Sequence, residues 1–303
     1  MYDVAIIGSG PAGYSAGIYS CRYQLNTIIF GKMMGGTISE AHKVCNYPGF
    51  PNISGLDLGT KMYEHAKESK CDIQFESVTN IEKLDDYFKI TTDLNKEYEA
   101  KTVILTVGTE RTKLTIPNEE KYIGKGVSYC ATCDANFYKD KTVAVIGGSS
   151  AATMAAMVLS EVAQKVYIIY RGKELRGDPA WRKQALSKPN VEAIYQTVIV
   201  GLEGEDTLQS LLLSKEYNGS KKLDLDGVFV EIGSEPNKHL ANDLGLETDS
   251  KGYIKVDSGQ KTNVEGIWAA GDCTTASNGF RQVVTAVAEG GIAANVVYKY
   301  LKK

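Results

Sequence analysis

No stretch of this 303-residue chain approaches the ~20 consecutive apolar residues that a membrane-spanning helix requires. No membrane partner is therefore expected. Lysine plus arginine (34) and aspartate plus glutamate (37) leave a net charge of −3, which gives no electrostatic reason to expect nucleic acid or an anionic membrane surface. The three histidines, His42, His65 and His239, are scattered without the spacing of metal ligands. Six cysteines are too sparse for a secreted disulfide scaffold. Four of them, Cys21, Cys45, Cys71 and Cys273, stand alone in the sequence and are expected to be small buried apolar residues. The opening residues "YDVAIIGSG" carry neither a basic leader nor a cleavage signal. The expected compartment is the cytoplasm, where a lasting structural disulfide would be exceptional.

What the chain does have is one unit written twice. With 43% hydrophobic and 23% charged residues it has a globular composition, and its length points to two domains. Residues 4–13 read "VAIIGSGPAG" and residues 143–152 read "VAVIGGSSAA". Each is a β-branched run that ends in glycines and enters an amphipathic helical stretch, and each is followed by a second buried-strand run, "NTIIF" and "KVYIIY". Gly8, Gly10 and Gly13 have G-x-G-x-x-G spacing, and Gly147, Ser149 and Ala152 occupy the same frame. Strand, glycine turn, helix, strand is the βαβ nucleotide-binding unit, in which backbone N–H groups at a helix N-terminus hold a pyrophosphate.

Two further stretches belong with the first copy. "KTVILTVGT" (101–109) reads as a buried strand ending in a glycine turn, and the alternating residues before it as a small β-meander. "GIWAAGDC" (266–273) reads as a strand ending in Gly271-Asp272 ahead of a long helix over 281–301. A carboxylate there can accept hydrogen bonds from a polyol, or can simply cap the turn. The expected fold class is α/β, with two Rossmann-like three-layer (ββα) nucleotide-binding domains, the second inserted into the first. The boundaries are placed at 1–112 and 243–303 for the first domain and 113–242 for the inserted one.

The remaining motif is "VSYCATCDANFY" (127–138), which sets Cys130 and Cys133 three apart with Asp134 beside them. Taken alone, this spacing serves a structural staple, half of a metal site or a catalytic disulfide. Together with "GSGPAG" (8–13), "NYPG" (46–49), "DGVFVEIGSEPN" (226–237), "AAGDC" (269–273) and "FRQVVTAV" (280–287), however, "GKGVSYCATCD" (124–134) makes the chain resemble the low-molecular-weight thioredoxin reductases nearly end to end. The resemblance implies FAD on the turn Gly8, Ser9, Gly10, Pro11, Ala12 and Gly13. Around the flavin it implies Gly35, Gly36 and Thr37, then Asn46 and Gly108, and finally Gly271, Asp272, Arg281 and Gln282. It makes Cys130 and Cys133 the redox pair, with Cys133 facing the flavin, Cys130 attacking thioredoxin and Asp134 as acid–base partner. Capping of the following turn is the alternative role for Asp134. The metal reading loses ground because there is no second C-x-x-C, and the staple reading because so short a loop gains little from closure. No metal is expected. The expected partner is thioredoxin or a thioredoxin-like protein, and the resemblance implies a homodimer.

Since a nicotinamide and the disulfide would both have to reach one flavin, the inserted domain is expected to rotate, with hinges near Lys113–Asn118 and Lys238–Leu244. The second nucleotide site departs from the family. Where the family has His-Arg-Arg and a further Arg for the 2′-phosphate of NADPH, this chain reads "YRGKELRG", keeping Arg171 and Arg176 but placing Tyr170 and Gly172 at the other two positions. NADPH is expected at Gly148, Ser149, Ser150 and Ala151, with the two arginines on the phosphate. The arginines as plain surface charge, and Ser149 as an intruding side chain, favour another electron donor: NADH, ferredoxin or a deazaflavin. A redox-sensing flavoprotein is a further alternative. Thr37 stands where the family usually has Gln.

Overall fold

The computed structural model describes residues 1–302. They fall into two compact units, one of Met1–Glu110 with Glu235–Lys303, the other of Arg111–Ser234. In chain order the first unit begins with β1 (Tyr2–Ile7), α1 (Pro11–Arg22), β2 (Thr27–Phe30), α2 (Gly55–Glu68), β3 (Asp72–Gln74), β4 (Val78–Lys83), β5 (Phe88–Thr92) and β6 (Glu97–Leu105). The chain leaves it through β7 (Thr109–Arg111). The second unit holds α3 (Glu119–Tyr122), β8 (Val127–Ser128), α4 (Ala131–Asp134), β9 (Thr142–Ile146), α5 (Ser150–Ser160) and β10 (Lys165–Tyr170). It continues with α6 (Pro179–Leu186), β11 (Val191–Tyr195), β12 (Ile199–Glu203), β13 (Ser210–Tyr217), β14 (Ser220–Asp224) and β15 (Gly227–Val230). Return is through β16 (Ser234–Pro236), after which α7 (His239–Asp243), β17 (Ile267–Ala269) and α8 (Val283–Leu301) complete the first unit.

In the first unit β3-β2-β1-β6 run parallel, and β17 adds to β6 in parallel through Ile267↔Val103 to Ala269↔Leu105. The N-terminal half of β6 pairs with the antiparallel meander β5-β4. Strands β1, β2 and β17 are near-continuous apolar runs because both faces of the parallel sheet are covered. One face packs against the meander through Phe88, Ile90 and Ile81, the other against α1 and α8 through Tyr14, Trp268 and Val297. Helix α1 starts with Pro11 at its first position, and its small residues let α8 come close: a Cβ on Gly290 would stand 2.1 Å from the Ala12 carbonyl oxygen.

The second unit repeats the plan. Its parallel sheet has the order β11-β10-β9-β15-β8, and β12-β13-β14 form an antiparallel sheet. Leu202, Leu211 and Leu213 of the antiparallel sheet pack with Ile146 and Val228 of the parallel one, while Ala152, Ala155 and Leu159 of α5 pack on Val143 and Val145. Each unit therefore has an antiparallel layer, a parallel layer and a helical layer.

The chain crosses at 110/111 and 234/235, whereas the sequence reading placed the boundaries at 112 and 242. The larger difference has a packing cause: Leu240, Ala241 and Leu244, on and just after α7, pack into the core shared by Ile81 and Phe88. The supposed hinge at 238–244 thus lies within the first unit. The supposed hinge at 113–118 is likewise part of the second, where Leu114 and Ile116 pack on its core and the Glu119 carboxylate accepts from the Leu114 and Thr115 N–H groups. The crossing segments themselves, β7 and β16, pair as a two-stranded sheet.

Candidate active site

The first glycine turn is built by contacts that exclude side chains. Gly8 has φ +129°, and a Cβ there would lie 2.2 Å from the Thr106 carbonyl oxygen. A Cβ on Gly13 would lie 1.8 Å from the Gly8 carbonyl oxygen. Gly10 differs: it has an ordinary extended φ of −87°, and an added Cβ would meet only the Gly35 oxygen, at 3.8 Å. Nothing in the protein requires glycine at position 10, so the space left by its missing side chain is a cradle open to a ligand. Gly10 is also the N-cap of α1 and no side chain caps that end, so the first-turn N–H groups of the helix are available to an anion. These features fit a dinucleotide pyrophosphate.

The segment carrying Gly35 and Gly36 packs against this turn. The Ser9 hydroxyl donates to the Met33 carbonyl at 2.9 Å, which ties the turn to the segment preceding Gly35 and Gly36. Both glycines have positive φ, and a Cβ on Gly36 would stand 3.0 Å from Gly10 Cα. Thr37 follows in a 3-10 turn, Gly36–Glu40, and is exposed. Asn46 Nδ2 donates to Gln282 Oε1 at 2.8 Å, which joins two positions 236 residues apart. Gly108 has φ +62° with open space about it. Next to the turn, Ile7, Gly8, Gly31, Val107 and Glu110 line a cleft of about 440 Å³ that also draws on the loops carrying Glu76–Thr79 and Asn237–Leu240.

At the end of β17 the partly buried Asp272 carboxylate has no hydrogen-bond partner among the described residues, and burial pushes its carboxyl above the usual carboxylate range despite the Arg281 charge. Such an orphaned acceptor fits a polyol donor and leaves the capping alternative without a bond to support it. Arg281 donates to the carbonyls of Asp272 and Thr274 and lies 3.6 Å over the Tyr253 ring, so in this structure it braces the turn. Gln282 caps α8 in a reciprocal pair with Thr285. Glu289, which the sequence reading missed, holds the same turn from below: its buried carboxylate accepts from Gly271 N–H at 2.7 Å and from the hydroxyls of Thr274 and Ser277. Only its place inside the apolar run "TAVAEGGIAANVV" signals that role. Glu289→Ala leaves these donors unpaired and is expected to lower stability by about 2–4 kcal/mol in denaturant unfolding, with Glu289→Gln intermediate.

In the second unit, Cys130 and Cys133 form a disulfide. Cys130 is the N-cap of α4, its sulfur accepting from Cys133 N–H at 3.2 Å; Cys130 is half-buried and Cys133 exposed. Asp134 does not cap the turn that follows. Its carboxylate instead accepts from the Ser128 hydroxyl at 2.6 Å, and Ser128 Oγ accepts from Cys130 N–H at 3.0 Å. Ser128 is thus a second residue missed from sequence, although its place two residues before the first cysteine is a usable signal. No cluster among the described residues could hold a metal ion.

The second glycine turn is more encumbered. Gly147 has φ +144°, and its Cβ would stand 2.1 Å from the Glu231 carbonyl oxygen. Ser149 is the exposed N-cap of α5 without a side-chain bond, so the N–H groups at Ser150 and Ala151 end an uncapped helix. Around it, Arg176 and Gly177 N–H both donate to the Gly148 carbonyl, and Asp178 N–H donates to Ser150 Oγ. The Tyr170 ring lies where a Cβ on Gly148 or Gly172 would be, at 2.5 and 2.4 Å. Arg171 and Arg176 are exposed and make no side-chain hydrogen bond or ion pair among the described residues.

Residues 2–290 match the pyridine nucleotide-disulphide oxidoreductase family. The chain is 40% identical over 303 residues to the thioredoxin reductase of Treponema pallidum, covering 99% of this chain and 97% of that protein. Its fold is similar to that of Lactococcus lactis thioredoxin reductase, with TM-score 0.94, 35% identity and coverage of 100% and 99%. It is also similar to a ferredoxin-flavin thioredoxin reductase from Clostridium acetobutylicum, with TM-score 0.54, 37% identity and coverage of 99% and 98%. With two Rossmann-like units and a cysteine pair beside the second glycine turn, the chain belongs to the pyridine nucleotide-disulphide oxidoreductases and, within them, to the low-molecular-weight thioredoxin reductases, enzymes that reduce a thioredoxin disulfide.

Proposed function

We propose that FAD occupies the first glycine turn, that NADPH is the electron donor at the second, and that Cys130 and Cys133 pass the electrons to thioredoxin or a thioredoxin-like protein. The observation that carries this reading is the Cys130–Cys133 disulfide, placed with Ser128 and Asp134 in the unit that also holds the second turn. FAD, when bound and reduced by the donor, would supply the two electrons that open this disulfide. The Cys130 thiolate then attacks one sulfur of the partner's disulfide, whose other sulfur leaves as a thiolate and takes up a proton. Cys133 attacks the Cys130 sulfur of the mixed disulfide, the partner's second thiol departs, and the Cys130–Cys133 bond closes. Two electrons leave the enzyme pair and two enter the partner. Asp134, bonded to Ser128, is the group proposed to hold or release the proton. The resemblance supports the order of attack; in the closed pair Cys133 is the more exposed residue.

Two exposed guanidiniums without carboxylate partners near an uncapped helix support NADPH. A hydrogen bond to a charged group contributes ~1.5–3 kcal/mol, so Arg171→Ala or Arg176→Ala should each raise KM for NADPH roughly ten- to a hundredfold in a thioredoxin-reduction assay. Kinetics with NADH, which lacks the phosphate, should hardly change. Unchanged NADPH kinetics in both variants, with slow wild-type turnover, would assign the arginines to plain surface charge. A second reading then applies, favoured by the Tyr170 ring over Gly148 and Gly172: the same disulfide chemistry with another donor. Fast turnover with reduced ferredoxin would establish it.

A further inference from the structure

The four cysteines outside the redox pair are not all the buried apolar residues that the sequence reading expects. Cys45 is exposed, Cys21 is half-buried, and Cys71 and Cys273 are buried. Two of them meet. Cys21 Sγ, in the last turn of α1, lies 2.8 Å from Cys71 Sγ, 50 residues on and just ahead of β3. That separation lies between a covalent S–S bond of about 2.05 Å and an ordinary contact of two sulfurs.

Local structure holds the pair in place. Lys70 has φ +66°, its N–H bonds to the Lys67 carbonyl, and Cys71 N–H bonds to the Ala66 carbonyl. This is the Schellman ending of α2, which turns the C″ side chain back onto the helix it follows. The Cys71 sulfur then fits against α1 because position 17 is glycine: a Cβ there would stand 3.2 Å from Sγ. Gly17 and Cys21, four apart, share one face of α1.

We propose that Cys21 and Cys71 are a second, peroxide-oxidisable dithiol that closes to a disulfide between α1 and the chain entering β3. Exposure fixes the order of events, because only Cys21 is open to solvent. The Cys21 thiolate attacks a hydroperoxide oxygen, the O–O bond breaks, and Cys21 becomes a sulfenic acid as one water (or alcohol) leaves. Cys71 sulfur attacks the Cys21 sulfur, hydroxide departs, and the Cys71 proton joins it to form a second water. The two sulfurs lose two electrons and the peroxide gains two. The Cys71 S–H bond lowers the Cys21 thiol below its usual range, while that same bond and burial push Cys71 up, in keeping with Cys21 as nucleophile. The bridge would enclose residues 22–70, including the Gly36–Glu40 turn and Asn46.

The test uses the full-length Cys130→Ser/Cys133→Ser protein, reduced, freed of reductant and treated with hydrogen peroxide. Peptide mapping without reductant should show the Cys21 and Cys71 peptides joined. The melting temperature should rise by roughly 8–15 °C, the gain expected for closing a loop of this length. Adding Cys21→Ala should abolish both the joined peptide and the rise. If both thiols remain free to alkylate after Cys45 has been oxidised, or if Cys21 pairs with Cys45 instead, the proposal fails. Cys21 is only half-buried, so a variant there tests the idea even where Cys71→Ala does not fold.

Discussion

Serine at either position 130 or 133 is expected to reduce turnover with thioredoxin by at least about a thousandfold while leaving the protein folded. Disulfide exchange requires a thiolate nucleophile and a thiolate leaving group, and an alcohol supplies neither near neutral pH. The fold should survive because a hydroxyl at position 130 can take over from Cys130 Sγ as acceptor of the residue-133 N–H, and the Ser128–Asp134 bond involves neither sulfur. The two variants should differ before the reaction stops. Under the proposed order, the Cys133→Ser protein, once reduced, retains the attacking Cys130 and should form a stable mixed disulfide with thioredoxin, visible on a non-reducing gel. The Cys130→Ser protein should not. The opposite trapping pattern would exchange the two roles, and full activity in either variant would remove the relay.

Gly10→Ala and Gly13→Ala are expected to part company sharply. A Cβ at Gly13 would stand 1.8 Å from the Gly8 carbonyl oxygen and 2.9 Å from Thr106 Oγ1, between a fixed turn and a buried strand end. No rotamer relieves a Cβ clash, so Gly13→Ala should lose about 3 kcal/mol or more of stability, or fail to fold. At Gly10 the protein itself offers no obstacle, so Gly10→Ala should keep wild-type circular dichroism and melting when stripped of cofactor. Its extra methyl would meet only what lies in the cradle. Affinity for FAD should therefore fall on the order of a hundredfold, the equivalent of a methyl group forced into a tight contact. Titration of the stripped proteins with FAD measures it. Wild-type affinity in Gly10→Ala would place the pyrophosphate elsewhere.

These residues also show what a single sequence can reveal. Both glycine turns, the meander before β6 and the strand carrying Gly271-Asp272 were legible because each depends on neighbours in sequence: alternation of apolar residues, glycine at fixed offsets, and a helix following at once. Glu289 was not, because a carboxylate in an apolar helix declares its purpose only when Gly271 and Ser277 are folded against it. The return crossing at 234/235 was missed for the same reason, since α7 is short and weakly patterned and its allegiance is set by a core formed far away in sequence. Asp134 had an acid–base reading and a capping reading from sequence; in the fold its carboxylate makes no cap bond and accepts instead from the Ser128 hydroxyl, six residues upstream. Cys21 and Cys71 looked like strangers until α1 and the end of α2 brought them together.

The insertion of one unit within the other has a consequence for how the chain is made. The core beneath α1 contains Val4 and Ile6 from one end of the sequence and Ala293, Ala294 and Val297 from the other, whereas the cores of Arg111–Ser234 draw on a single continuous stretch. At about 5–20 residues per second, translation from residue 111 to α8 occupies on the order of ten to forty seconds. Throughout that interval the emerging segment Met1–Glu110 has its α1 face uncovered, while the inserted unit holds every residue it needs as soon as Ser234 has been made. The unit with the cysteine pair can therefore be complete on the ribosome while the one with the first glycine turn still waits for its last helix.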